Sequence, residues 1–169
     1  FPTRRSSDLQ ALLCTQTNEK HQACGVCPSC GWFEQDNHPD FRLVSPEQEV
    51  SKDDESSAKS TKKKTQIVID QIRGLADFLS LSSHQRDGLR IVVIHPAEGL
   101  NAAAANALLK MLEEPPANVV FILVAHQPQK ILPTIMSRCQ KIDMPVPSSQ
   151  DALAWMRQAG IENADVLLS

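Results

Sequence analysis

The sequence predicts an α/β fold built on a parallel sheet flanked by helices. Residues 91–94 (Ile-Val-Val-Ile) and 119–124 are short, wholly apolar runs, as expected of strands covered on both faces. Stretches with helical spacing separate the strand-like segments. Each connection is therefore a crossover, and crossovers join parallel neighbours. The 169 residues are enough for one medium domain and the start of another.

Along the chain, residues 1–8 are polar and patternless, without an initiator methionine, and read as a non-native scar. Residues 9–13 read as the end of an amphipathic helix. Residues 14–30 hold a cysteine cluster, 32–35 suit a short helix, 38–40 a turn, and Phe41–Val44 a strand. Residues 45–65 contain no large apolar residue after Val50 and are expected to form a mobile, solvated loop. Residues 67–69 are a short strand or lead-in, and Asp70 suits a helix N-cap. Ile72, Leu75, Ala76 and Leu79 then follow at helical spacing and form one buried stripe. Beyond strand 91–94, Asn101 can cap an alanine-rich helix running to Glu113. Pro115 and Pro116 stop that helix, because a residue before proline avoids the helical region. After strand 119–124 come a short helix, 129–136, and a returning strand, 140–144. Pro145 and Pro147 mark a boundary. The core is thus 9–144, and 145–169 opens a second, helical domain with a helix at 151–158 that turns Leu153 and Met156 inward.

The composition, 41% hydrophobic and 22% charged, is that of a globule able to bury a core. A net charge of −3 excludes a global basic field, so any DNA contact must be local or shared with partners. No apolar run reaches the roughly 18–20 residues that span a bilayer, and no apolar central region marks a secretory signal. A cytoplasmic, reducing setting is expected. It favours metal or free thiols over disulfides for the five cysteines.

Four of them, Cys14, Cys24, Cys27 and Cys30, form a C-x9-C-x2-C-x2-C pattern. Thiolates two residues apart converge on one ion, and Gly25 and Gly31 allow tight turns between them. Four sulfur ligands with no open position make a structural zinc site. The rival is an iron–sulfur centre, whose motif places its next cysteine just downstream. Residues 31–36 contain none. His21 and His38 lie nearby as possible substitutes, but four cysteines complete the shell.

A phosphate-binding loop would read G-x4-G-K-[ST], and none of the six glycines precedes a lysine. Strand 91–94 runs into His95-Pro96, where hydrolysing P-loop proteins hold Mg²⁺ with an acid. Neither residue can do that work, so no ATP hydrolysis in cis is expected. The plainer alternative is a core strand ending in a turn.

The stretch Asn106-Ala-Leu-Leu-Lys-Met-Leu-Glu-Glu-Pro-Pro116, with Phe121-Ile-Leu123 and Ser137-Arg-Cys139 after it, resembles bacterial DNA polymerase III clamp-loader subunits of the AAA+ superfamily. The resemblance covers about residues 9–169. It implies an AAA+ P-loop-NTPase-like core, an inserted zinc module at 14–30, and the start of a helical lid domain at 145–169. Within the family the chain looks most like the subunit that does not hydrolyse ATP, since gamma/tau subunits carry Asp-Glu at the places of His95 and Pro96. It implies a part in loading the sliding clamp on primed DNA within the polymerase holoenzyme. Partners would be gamma/tau and delta subunits, with ATP bound by the neighbours. Arg138 would act in trans as an arginine finger, Ser137 would support the local backbone, and Cys139 would be a small buried strand residue. Without the resemblance, Arg138 reads as a surface arginine paired with a carboxylate.

The chain departs from the family in places. The first cysteine spacing is nine residues where eight is usual. Ala125-His126 stands where active subunits carry a polar sensor. The Lys59–Lys64 segment looks inserted, and the family's N-terminal strand and phosphate loop are not in this sequence. Lys59, Lys62, Lys63 and Lys64 suit either DNA phosphates or a solvated loop. Lys110, Glu113 and Glu114 suit an exposed helix face with an i, i+3 ion pair. His84, His95 and His126 are scattered and show no ligand spacing. Two competing functions stand beside the first: an ATP-hydrolysing gamma/tau-type subunit, and a stand-alone zinc-dependent DNA-binding module. The net charge disfavours the second.

Overall fold

The computed structural model describes residues 7–19, 21–47, 66–80, 88–144, 147–158 and 160. The chain divides into two compact units, Phe1–Cys139 and Gln140–Ser169. The first contains a parallel sheet of β1 (Phe41–Val44), β2 (Arg90–Ile94) and β3 (Val119–Leu123), in the order β1-β2-β3. Phe41 lies opposite Ile91 and Val44 opposite Ile94. On the other side Arg90 lies opposite Val119 and Ile94 opposite Leu123. Strand β2 therefore has a hydrogen-bonded neighbour on each edge.

Both faces of β2 are also covered, which is why its sequence is an unbroken apolar run rather than an alternation. Val92 and Ile94 point into a cluster with Val44, with Ile72, Leu75 and Leu79 of α3 (Ile69–Ser80), and with Ala104, Ala105 and Leu108 of α4 (Ala102–Glu113). Ile91 and Val93 point the other way, toward Leu9 and Leu13 of α1 (Ser7–Leu13) and Phe33 of α2 (Pro28–Glu34). The result is the predicted parallel sheet flanked by helices. Of the stripe read on α3, Ile72, Leu75 and Leu79 are buried, but Ala76 is exposed and Phe78 takes its place in the core.

Asn101 caps α4 as expected: its side chain accepts from the Ala104 N–H at 2.8 Å. At α3 the predicted cap is off by two residues. Helix α3 starts at Ile69, so Asp70 lies inside the first turn and faces Arg73 at 3.5 Å. Gln71 does the capping. Its Oε1 accepts from the Val68 N–H at 3.0 Å while its Nε2 donates to the Ser45 carbonyl at 2.8 Å.

Other elements shift for identifiable reasons. Residues 67–69 contribute a single bridge, Ile67 to Leu100. Helix α2 begins at Pro28, earlier than the predicted 32–35, because Cys27 caps it and proline suits the first helical position. The helix expected over 129–136 splits into a 3₁₀ turn, Pro128–Lys130, and α5 (Pro133–Met136). Pro133 forces the residue before it, Leu132, into extended backbone at ψ 132°. Residues 140–144 form no strand: among the described residues the sheet ends at β3, Ile142 and Met144 are exposed, and Lys141 pairs instead with Asp143. Cys139, expected on a strand, is therefore a half-buried loop residue against the α3–α4 cluster. In the second unit α6 (Ser149–Gln158) forms as read, capped by the Ser148 hydroxyl and with Leu153 and Met156 half-buried. The expectations for 1–6, 48–65, His84 and Pro145 lie outside the described residues.

One buried polar contact was not foreseen. Arg90 and Asp40 pair at 3.6 Å with side chains only 7% and 4% exposed. Arg90 Nη1 also donates to the Phe78 and Leu79 carbonyls, at 3.2 and 2.9 Å. One guanidinium thus closes the last turn of α3 and ties it to the entrance of β1 and β2. Removing one partner of such a pair leaves a buried charge uncompensated. Arg90→Ala is expected to lower stability by about 3–5 kcal/mol, read as a fall in the urea midpoint. Exposed Arg42→Ala should change it by less than about 0.5 kcal/mol.

Candidate functional site

The four predicted ligands do converge. Cys14 lies just past α1, Cys27 is the N-cap of α2, and Cys30 sits in its first turn. Gly25, at φ +71°, turns the chain between Cys24 and Cys27 in a conformation open to glycine. Sulfur atoms of Cys14 and Cys27 are 3.9 Å apart, those of Cys24 and Cys30 4.0 Å, and all four lie within 4.8 Å of one another. Tetrahedral zinc with sulfur at about 2.3 Å would space its ligands by about 3.8 Å. The donor set can therefore hold such an ion.

Backbone N–H groups already point at the sulfurs. Gln16 and Cys24 donate to Cys14 Sγ at 3.3 and 3.4 Å, and Cys27 donates to Cys24 Sγ at 3.3 Å. The Val26 and Cys27 N–H groups lower the Cys24 thiol. Burial would raise Cys27, but hydrogen bonds from Thr15 and the Cys30 N–H outweigh it and bring it well below its ordinary value. Burial pushes Cys30 the other way. The neighbourhood thus already favours charge on part of the set.

Neither nearby histidine joins the cluster. His21 is exposed, at φ +56°. His38 is buried and serves the fold. The Asp40 N–H donates to its Nδ1 at 3.0 Å, so the imidazole carries its proton on Nε2 and donates to Ser29 Oγ at 2.8 Å. The Ser29 hydroxyl donates in turn to the Leu13 carbonyl. This chain staples the cysteine loop to the end of α1. Ser29 is 2% exposed, so it serves as a clamp and not as a nucleophile. Its role was invisible in sequence, because the partners lie 16 and 9 residues away.

Arg138 stands at the surface after α5. Its Nη2 meets Glu113 Oε1 at 2.6 Å and its Nη1 donates to the Thr134 carbonyl at 2.9 Å. Ser137 Oγ donates to the same carbonyl at 3.0 Å, and so shapes the loop that presents Arg138. The i, i+3 pair expected between Lys110 and Glu113 gives way to this longer-range pair, since α5 brings a planar guanidinium to the end of α4.

His95 and His126, read as scattered, are in contact. Their Nε2 atoms are 3.1 Å apart and the rings meet edge to face. His95 follows β2, His126 follows β3, and parallel pairing brings both to the carboxyl edge of the sheet. A spacing of 31 residues gives no sequence signal; only the register does.

Together these features define a class: a parallel α/β domain with a closed thiolate cluster grafted ahead of its first strand. Within that class, the chain belongs to the family described as DNA polymerase III, delta subunit, whose model matches residues 6–148. It is 38% identical over 148 residues to DNA polymerase III subunit delta' of Pseudomonas aeruginosa, covering 88% of this chain and 40% of that protein. It is 34% identical over 159 residues to the subunit delta' of Escherichia coli, covering 94% and 42%. A DNA polymerase III gamma subunit-related protein of Thermotoga maritima has a similar solved structure, with TM-score 0.52 and 26% identity over 79% of this chain and 42% of that one. The chain thus spans about two fifths of the length of these relatives. Among the described residues, no helix is long and apolar enough to cross a membrane.

The cluster sets a direct test. Purified chain is expected to carry about one equivalent of zinc by elemental analysis, and Cys30→Ser should lose it together with cooperative thermal unfolding. Because the ligands must be thiolates, affinity should fall as pH falls, so zinc is released on acidification and retained on raising the pH.

Proposed function

We propose that this chain is part of a non-hydrolysing, delta-prime-type subunit of the DNA polymerase III clamp loader, an AAA+ protein that assists in loading the sliding clamp on primed DNA. Its partners are gamma/tau and delta subunits, and its zinc is structural. Arg138 is an arginine finger for the ATP site of a neighbouring subunit, with Ser137 supporting the loop.

The observation that carries this reading is the presentation of Arg138. Its side chain is 35% exposed, on a surface loop held by Ser137 and Thr134. A guanidinium has five N–H donors in a rigid fork. Glu113, the Thr134 carbonyl and the Ser137 hydroxyl engage three of them, which leaves two N–H donors to meet a phosphate. Releasing Glu113 costs little, since exposed ion pairs contribute about 0.2–1 kcal/mol. An arginine finger contributes on the order of 10³–10⁵ in rate, about 4–7 kcal/mol. The contest favours the phosphate. His95-Pro96 at the end of β2 supports the absence of hydrolysis in cis, since neither side chain offers a carboxylate for Mg²⁺.

In a reconstituted loader containing the full-length subunit, Arg138→Ala should lower ATP turnover on the order of 10³-fold with assembly intact. Arg138→Lys should not restore it, because an ammonium lacks the planar fork. Unchanged turnover in the alanine variant would remove Arg138 from the reaction.

A further inference from the structure

The His95–His126 pair takes no part in the function above, and its geometry has a use of its own. The two Nε2 atoms lie 3.1 Å apart. Imidazole nitrogens bind zinc-like ions at about 2.0–2.1 Å, so two of them at this separation subtend about 98° at one ion. That angle lies between octahedral and tetrahedral values. The rings meet edge to face at 83°.

The surroundings suit a cation. The Oε1 atom of Glu98 accepts the His126 backbone N–H at 3.2 Å, which places the carboxylate beside the pair. Among the described residues its buried Oε2 has no hydrogen-bond partner, a costly state for a carboxylate oxygen that a nearby positive charge relieves. His126 is exposed, which gives an ion a route in. The pair lies at the carboxyl ends of adjacent parallel strands, where open α/β sheets take ligands.

We propose that His95 and His126 form a second metal site, separate from the cysteine cluster, that takes a divalent ion of the zinc, nickel and copper group through their two Nε2 atoms. Both rings ligate as neutral imidazoles protonated on Nδ1. Water fills the remaining positions, and Glu98 contributes through its charge. Imidazole donors select this group over Mg²⁺ and Ca²⁺, which require oxygen. The site is independent of any role for Arg138.

The test titrates Ni²⁺ into the full chain by calorimetry after a single equivalent of zinc per chain has been supplied, which the four thiolates take first, with zinc content measured before and after. The expected result is one further ion per chain with zinc retained. His95→Asn and His126→Asn should each weaken binding at least tenfold, and Glu98→Gln by a smaller factor. His21→Asn, on the cysteine loop, should leave it unchanged. His126 is at the surface, so its variant keeps the core intact and decides the matter even if His95→Asn folds poorly. The proposal is overturned if no further nickel binds, if nickel enters only by displacing zinc, or if the His126→Asn titration superimposes on the wild type. The last outcome would leave the two rings as a simple N–H···N hydrogen bond.

Discussion

Strand β2 is the constraint on which the rest of this structure depends. It is paired on both edges and covered on both faces, and Ile91, Val92 and Ile94 have no exposed surface. A strand in that position cannot slip by one residue without exchanging the two apolar layers it separates. Its end is pinned as well. The His95 N–H donates to the Val44 carbonyl at 2.9 Å, Val124 to Ile94 at 3.0 Å, and Ala97 to Val124 at 2.8 Å. Those three bonds carry the parallel register past the strand ends. They fix the loops bearing His95, Glu98 and His126 to one another.

The two layers around β2 are unequal. Helices α3 and α4 have 12 residues each and supply most of the core. The opposite layer has only α1 and α2, of seven residues each. Helices that short are marginal without tertiary support. The cysteine cluster compensates. It links the end of α1 to the start of α2, and Ser29, His38 and the Leu13 carbonyl fasten the same two segments by hydrogen bonds. Phe33 of α2 meets Phe41 of β1 edge to face at 5.2 Å, so the module is anchored to the sheet. A metal held by these thiolates would stabilise by closing a loop that small apolar surfaces alone leave loose.

The contact that Arg138 makes is compatible with the role proposed for it. Its contact with Glu113 is the carboxylate pairing that a surface arginine is expected to make, and it also holds the guanidinium extended at the surface. An exposed pair is weak enough to be exchanged. The buried Arg90–Asp40 pair, with the same chemistry, is not. Burial, not residue type, separates a structural arginine from an available one.

The positions of β1, β2 and β3, the capping of α4 by Asn101, the proline stop after Glu113 and the convergence of Cys14, Cys24, Cys27 and Cys30 were all legible in the sequence. Each depends on neighbours within one element or one loop, where spacing encodes geometry directly. The start of α3, the split at Pro133 and the absence of a strand at 140–144 were less so, because they turn on a competing local rule or on a missing sheet partner. The pairing of Arg90 with Asp40, of Arg138 with Glu113 and of His95 with His126 was decided by tertiary structure alone. These partners are brought together by parallel register and helix packing, across 50, 25 and 31 residues. Chain spacing over such distances carries no geometric information until the sheet has formed.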